Sequence, residues 1–212
     1  MRYANMAQSH NDHIQNYRTD GVAKMKGTMY SSDFYRVQWI LNQIPKDSYV
    51  LEVGCNAGTV ALQIAQAGCY VKGIDIVQEL VDKAVSRGIT AEQGTAEDLS
   101  RFNDNEFDVV VCAEVLEHLY DPLVAIKEAH RVLKKGGKYL VTVPHPNSQM
   151  AGDKIGDYHQ QNFSMEILDT IFHCVFFRDY VKFSEIPYKE EFCRANGLEV
   201  GHMGWLALEC VK

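Results

Sequence analysis

The chemistry-bearing stretch of this chain runs from Tyr49 to Thr59. The run Tyr49-Val50-Leu51-Glu52-Val53 is apolar around one acidic residue and is followed at once by Gly54-Cys55-Asn56-Ala57-Gly58. An apolar run too short for a helix that ends in a glycine-bearing turn is a buried strand entering a loop. Open α/β sheets bind nucleotides just outside such strand ends. A dinucleotide fingerprint starting at Gly54 requires glycine at positions 56 and 59, where the chain has Asn56 and Thr59, and no Gly-Lys-Ser/Thr follows to make a phosphate-binding P-loop. The spacing leaves a nucleoside site. Asp75, in Gly73-Ile74-Asp75-Ile76, stands where a carboxylate accepts hydrogen bonds from the two hydroxyls of a ribose, or caps the helix that follows.

The elements that must position these residues alternate. Phe34, Val37, Ile40, Leu41 and Ile44 recur at helical spacing until Pro45 stops the pattern. After the first strand come a helix over Thr59 to Ala67, a strand at Tyr70 to Ile74, a helix over Gln78 to Arg87 and a short strand at Ile89 to Glu92. Phe107 to Cys112 reads as the central strand, then a helix from Pro122 to Leu133, a Gly136-Gly137 turn and a strand at Tyr139 to Val143. This succession predicts a doubly wound α/β fold with a mostly parallel sheet and helices on both faces. Beyond Pro144 the pattern predicts a polar loop from His145 to Gln161, a helix at Met165 to Phe172 and strands near Val175 to Phe183 and Trp205 to Val211. One domain is expected, with an N-terminal lid over 1–45, a cofactor-binding half over 46–146 and a substrate-shaping half over 147–212. Tyr17, Tyr30 and Tyr35 are candidates for covering the site.

Glu52 and the Gly54-Cys55-Asn56-Ala57-Gly58 turn resemble motif I of class I S-adenosylmethionine (SAM)-dependent methyltransferases. That resemblance implies a seven-stranded sheet, SAM as cofactor, Glu52 near the methionine ammonium, and Gly54 letting the backbone approach the ligand. It also implies cofactor contacts from Cys55, Asn56, Gly58, Asp75 and Ile76. Gly94-Thr95-Ala96-Glu97-Asp98-Leu99 resembles the segment that brackets adenine in this superfamily, with Thr95 standing where many members have Asp. The Ala96 backbone, Glu97 and Asp98 are then the candidates for the adenine amine. The same residues also read as a helix N-terminus capped by Thr95. Cys112-Ala113-Glu114-Val115-Leu116-Glu117-His118-Leu119-Tyr120-Asp121-Pro122 resembles the strand-four exit of small-molecule methyltransferases, including ubiquinone-biosynthesis O-methyltransferases, and puts Glu114 beside the cofactor.

An acceptor alcohol or phenol must lose a proton, and His118, His145 and His159 are the candidate bases. Glu114, Glu117 and His118 also stand at i, i+3 and i+4, so a helical strand exit would put them on one face as a partial site for Mg, Mn or Zn. His159 resembles the histidine that completes such a site in small-RNA 3′-terminal 2′-O-methyltransferases. The same string occurs in methyltransferases that use no metal, and the ion-free alternative is preferred.

A net charge of -7 without a Lys/Arg cluster argues against duplex nucleic acid as a partner. The six cysteines form no C-x-x-C pair, Met1 to Thr19 has no apolar signal segment, and no window is apolar enough to span a membrane, so a reducing cytoplasmic setting is expected. Nothing in the sequence fixes an oligomeric state. The expected partner is a small-molecule acceptor methylated at O or N. The alternatives are an RNA terminus or other macromolecule as acceptor, and a SAM-binding protein without catalysis.

Overall fold

The computed structural model describes residues 34–148, 160–172, 177, 181–188, 190–195, 197–201 and 203–212. The two most apolar runs form the centre of the sheet. β1 (Tyr49–Val53) pairs in parallel with β4 (Phe107–Ala113), from Val50 opposite Val109 to Val53 opposite Cys112. β2 (Tyr70–Asp75) and β3 (Thr90–Gln93) extend the sheet on one side, and β5 (Leu133–Pro144) lies beside β4 on the other, all parallel. β6 (Val181–Pro187) and β7 (Met203–Val211) complete the order β3-β2-β1-β4-β5-β7-β6, with β7 antiparallel to both neighbours.

Strand periodicity splits the core in two, because successive side chains point to opposite faces. Val50, Val109, Val111 and Leu140 pack with Ile40 of α1 (Phe34–Gln43) and Ile64 of α2 (Thr59–Gln66). α3 (Gln78–Ser86) lies beside α2, with Ala84 against Ala61. Leu51, Val53, Val110, Cys112 and Val141 face the other layer, where α4 (Pro122–Val132) contributes Ile126 and Ala129 and α5 (Met165–Ile171) contributes Leu168. α4 starts where Asp121 accepts the Leu123 N–H at 3.1 Å and Pro122 occupies the first turn. Among the described residues no helix is long and apolar enough to cross a membrane.

Two features differ from the sequence expectation. The Gly136-Gly137 pair is not a turn before a strand but an irregularity within β5, which pairs Leu133 with Phe107 and resumes at Lys138 opposite Val109. Gly136 has φ +78, and a Cβ on Gly137 would sit 2.8 Å from the Lys134 carbonyl oxygen, so the strand kinks there because both residues lack a side chain. A short helix, α6 (Glu190–Ala195), occupies a stretch with no helical periodicity to announce it; of the strand expected near Val175 to Phe183, residues 175, 176 and 178–180 lie outside the described residues and β6 carries the rest from Val181.

β1, β2 and β3 step outward in one direction, and the chain then crosses to β4 on the opposite side of β1. That reversal opens a crevice at the carboxyl ends of β1 and β4. α1 closes one side of it, so its docking matters. Ile40 is fully buried, and Ile40→Ala should cost about 2–5 kcal/mol in urea unfolding; a near-neutral result would show that α1 does not pack on the sheet.

Candidate active site

The turn after β1 is shaped by its backbone. Gly54 and Cys55 both donate their N–H to the Ile74 carbonyl, at 2.8 and 2.9 Å, which bends the chain over the end of β2. Gly54 has φ +73, and a Cβ there would lie 2.3 Å from Val115 Cγ2. The glycine is therefore required by its left-handed backbone and by Val115 of the β4 exit, a protein contact where the sequence suggested only room for a ligand. Asn56 also has positive φ, and its N–H donates to Asp75 Oδ2 at 2.8 Å. Asp75 Oδ1 accepts the Val77 N–H at 2.9 Å. One carboxylate thus ties the loop after β1 to the loop after β2, and the second lone pair of each oxygen is what it has to offer a ligand. Burial pushes the Asp75 pKa up, against the pull of these two N–H groups. Ile76 and Ala57 pack with Val77 and Leu80 beneath this tie.

Beside it lies a buried set of charges. Glu52 is 3% exposed and its Oε2 has no hydrogen-bond partner. Burial pushes its pKa up to about 8, opposed by the Ala61 N–H in the first turn of α2 and by the Arg36 guanidinium. Glu117 is 2% exposed with both carboxylate oxygens lacking hydrogen-bond partners, and burial raises it to about 8 as well, again opposed by Arg36. Arg36, on α1 and 7% exposed, is thus the cation that two buried carboxyls share. Its guanidinium lies over the Trp205 ring, 5.7 Å from the centroid.

The exit of β4 corrects the metal geometry. Glu114 adopts φ 57, a left-handed conformation that costs a non-glycine residue about 1–2 kcal/mol, and the following turn, Leu116–His118, is a 3₁₀ helix. The i, i+3, i+4 face therefore does not form. Glu114 Oε1 instead accepts the Thr142 hydroxyl and Oε2 the Trp205 indole N–H, both at 3.1 Å. His118 Nε2 lies 3.8 Å from Glu117 Oε1. Among the described residues no three His, Cys, Asp or Glu side chains gather as metal ligands. His159, Tyr17 and Tyr30 lie outside the described residues, and Tyr35 is 43% exposed on α1.

His145 reaches the crevice edge, but both its ring nitrogens are engaged. Nδ1 accepts the Asn147 N–H at 3.1 Å, and Nε2 faces Glu185 Oε1 at 3.3 Å, which assigns the Nε2–H tautomer. In this arrangement the ring pins the end of β5 to β6. Thr95 to Asp98 is a tight turn, closed by the Asp98 N–H on the Thr95 carbonyl at 3.2 Å, rather than the expected helix start. Thr95 Oγ1 accepts the Glu97 N–H at 3.3 Å, and the Ala96 side chain is buried in the core below.

Arg36, Thr142 and Trp205 were missed in the sequence. Arg36 precedes Ile40 by one helical turn, so a cation on the buried stripe of α1 was the available signal. Thr142 and Trp205 gave none, because each meets Glu114 only through the strand order.

Two measurements probe this arrangement. Asp75→Ala strands the buried Val77 N–H and the part-buried Asn56 N–H, and should lower unfolding stability by about 1–3 kcal/mol for the first and by less for the second; an unchanged urea midpoint would show that the two loops are not tied. Glu52 has a folded pKa of about 8 against an ordinary 4.5, so the folded chain keeps a proton that the unfolded chain releases. Its contribution to stability is full below the ordinary value and is lost as pH rises through about 8. Melting from pH 5 to pH 8.5 should therefore show Glu52→Gln gaining on the parent chain with rising pH.

Comparison with known proteins agrees with this architecture. Residues 51–141 match the family model of a methyltransferase domain. A ubiquinone biosynthesis O-methyltransferase of Pseudomonas syringae pv. tomato is 36% identical over 119 residues, which are 53% of this chain and 51% of that protein. The chain thus spans about half the length of the curated relative it matches. A Thermotoga maritima SAM-dependent methyltransferase, described as a possible histamine N-methyltransferase, superposes with a TM-score of 0.73 at 21% identity, over 94% of this chain and 98% of that one. Phosphoethanolamine N-methyltransferase 2 of Haemonchus contortus, solved with S-adenosyl-L-methionine, gives 0.68 at 17% identity over 92% of this chain and 60% of that one. The β3-β2-β1-β4-β5-β7-β6 sheet is thus the fold of these SAM-dependent methyltransferases, and its central part, residues 51–141, is similar to a methyltransferase domain.

Proposed function

We propose that the chain transfers the methyl group of SAM to an oxygen of a small-molecule acceptor. The observation that carries this reading is the set of buried, unsatisfied carboxylate oxygens on Glu52 and Glu117 around Arg36, next to the Gly54 turn. Buried carboxyls without partners call for a cation, and a ligand with an ammonium, a sulfonium and a carboxylate complements two acids and one guanidinium. In this reading Glu52 takes the ammonium, Arg36 the carboxylate and Asp75 the ribose hydroxyls, while Gly54, Cys55, Asn56, Gly58 and Ile76 shape the floor. Thr95, Ala96 and Glu97 line the adenine end and Glu114 the acceptor side.

When bound, SAM supplies a methyl group on a sulfonium leaving group. What remains for the protein is alignment, which can contribute about 7–11 kcal/mol, and proton removal from the acceptor. His118 is the base best placed among the described residues, in the turn that leaves β4 with its Nε2 3.8 Å from Glu117 Oε1. An oxygen acceptor is supported by the curated relatives named as ubiquinone biosynthesis O-methyltransferases. Glu114 is committed to Thr142 and Trp205, which favours an ion-free route over a site for Mg, Mn or Zn. The net charge of -7 favours a metabolite over duplex nucleic acid, and the free thiols fit a cytoplasmic setting.

Labelled SAM incubated with fractionated metabolites and with RNA tests this. Label is expected in a small-molecule fraction as an O-methyl group, and label in RNA alone would overturn the acceptor class. His118→Ala should lower turnover by about 10²–10⁴-fold with SAM affinity unchanged. Full activity in that variant, or in the parent chain's Glu117→Gln variant at every pH, would remove the histidine and its neighbour from proton transfer.

A further inference from the structure

We infer that Trp205 is a positioning residue for the amino-acid end of the cofactor, acting through Arg36. The inference rests on the proposed role of Arg36 as the carboxylate anchor. Trp205 is fully buried on β7 and is held from two directions. Its indole N–H donates to Glu114 Oε2 at 3.1 Å, and the Tyr188 ring meets it edge-on at 5.0 Å between centroids. Gly204 makes this packing possible, since a Cβ there would lie 3.0 Å from the Tyr188 ring. The remaining face of the indole carries the Arg36 guanidinium.

A guanidinium on a flexible side chain selects a ligand poorly unless something fixes its plane, and an aromatic face does so without competing for its N–H donors. The ring thus fixes the plane of the cation without itself taking up any of its N–H donors. The Thr142 hydroxyl on Glu114 Oε1 holds the far end of the same chain of contacts. Anchoring of the amino-acid end therefore depends on a β7 residue that need not touch the cofactor.

Calorimetry on the full chain with two probes separates this role from a merely structural one. S-adenosylhomocysteine carries the amino-acid end, and 5′-methylthioadenosine lacks it. Trp205→Leu should weaken S-adenosylhomocysteine about tenfold while leaving 5′-methylthioadenosine within about twofold, and Trp205→Phe, which keeps a ring face, should restore S-adenosylhomocysteine to within about threefold. Equal loss for both probes, or no loss for S-adenosylhomocysteine, overturns the inference. Should Trp205→Leu not fold, the cycle of Trp205→Phe with Arg36→Lys decides it, with non-additive effects on S-adenosylhomocysteine binding expected and additive ones fatal. A parent chain that binds both probes but methylates nothing would defeat the proposed transfer and leave this inference standing, whereas one that binds neither probe would defeat both.

Discussion

A backbone N–H removed from water and left without an acceptor costs about 1–3 kcal/mol. The loops that follow β1 and β2 contain one such group, on Val77, and a part-buried one on Asn56, and the two oxygens of Asp75 satisfy them. Much of the crevice follows from this tie. It holds Asn56 in its positive-φ conformation, and that in turn keeps Gly54 and Cys55 folded back onto Ile74 and Gly58 positioned to start α2. With α2 fixed, the Ala61 N–H is aimed at Glu52, so the placement of one buried acid depends on the saturation of another.

The second constraint is electrostatic. Glu52, Glu117 and Arg36 come from β1, the turn after β4 and α1, three elements distant in sequence that meet at the point where the strand order reverses. Neither acid has a full complement of hydrogen bonds, so each retains its proton well above the usual carboxylate range. Such an arrangement opposes folding, because buried polar groups without partners lose their hydration and gain nothing in return.

The fold was legible because its signals are local. β1, β4 and the helices between them announce themselves by short apolar runs, helical periodicity and punctuation at Pro45, Gly54 and Pro122, and these elements lie where the pattern put them. The strand irregularity at Gly136 and Gly137 was read as a turn because a glycine pair looks the same in both. The turn after β1 and the place of Asp75 at the end of β2 were legible for the same local reason. The metal geometry failed because it assumed helical spacing at Glu114, whose left-handed backbone no sequence pattern announces. The partners of His145, the Asn147 N–H and Glu185, were not legible because they depend on the β5 exit and on β6. Trp205 lay beyond reach because it meets Glu114 across a sequence separation of 91.

That separation bears on how the site comes into being. β7 is synthesised after every other strand of the sheet, yet it inserts between β5 and β6 rather than adding to an edge. Non-local pairings of this kind form slowly, because loop-closure entropy is lost before the contacts that offset it are made. Until β7 enters, Glu114 lacks its indole donor, Arg36 lacks its seat, and β5 and β6 each expose an unpaired edge. A nascent or partly unfolded chain can thus hold the turn after β1 in nearly finished form while Arg36 is still adrift, and such a species is open to strand-edge association with its neighbours.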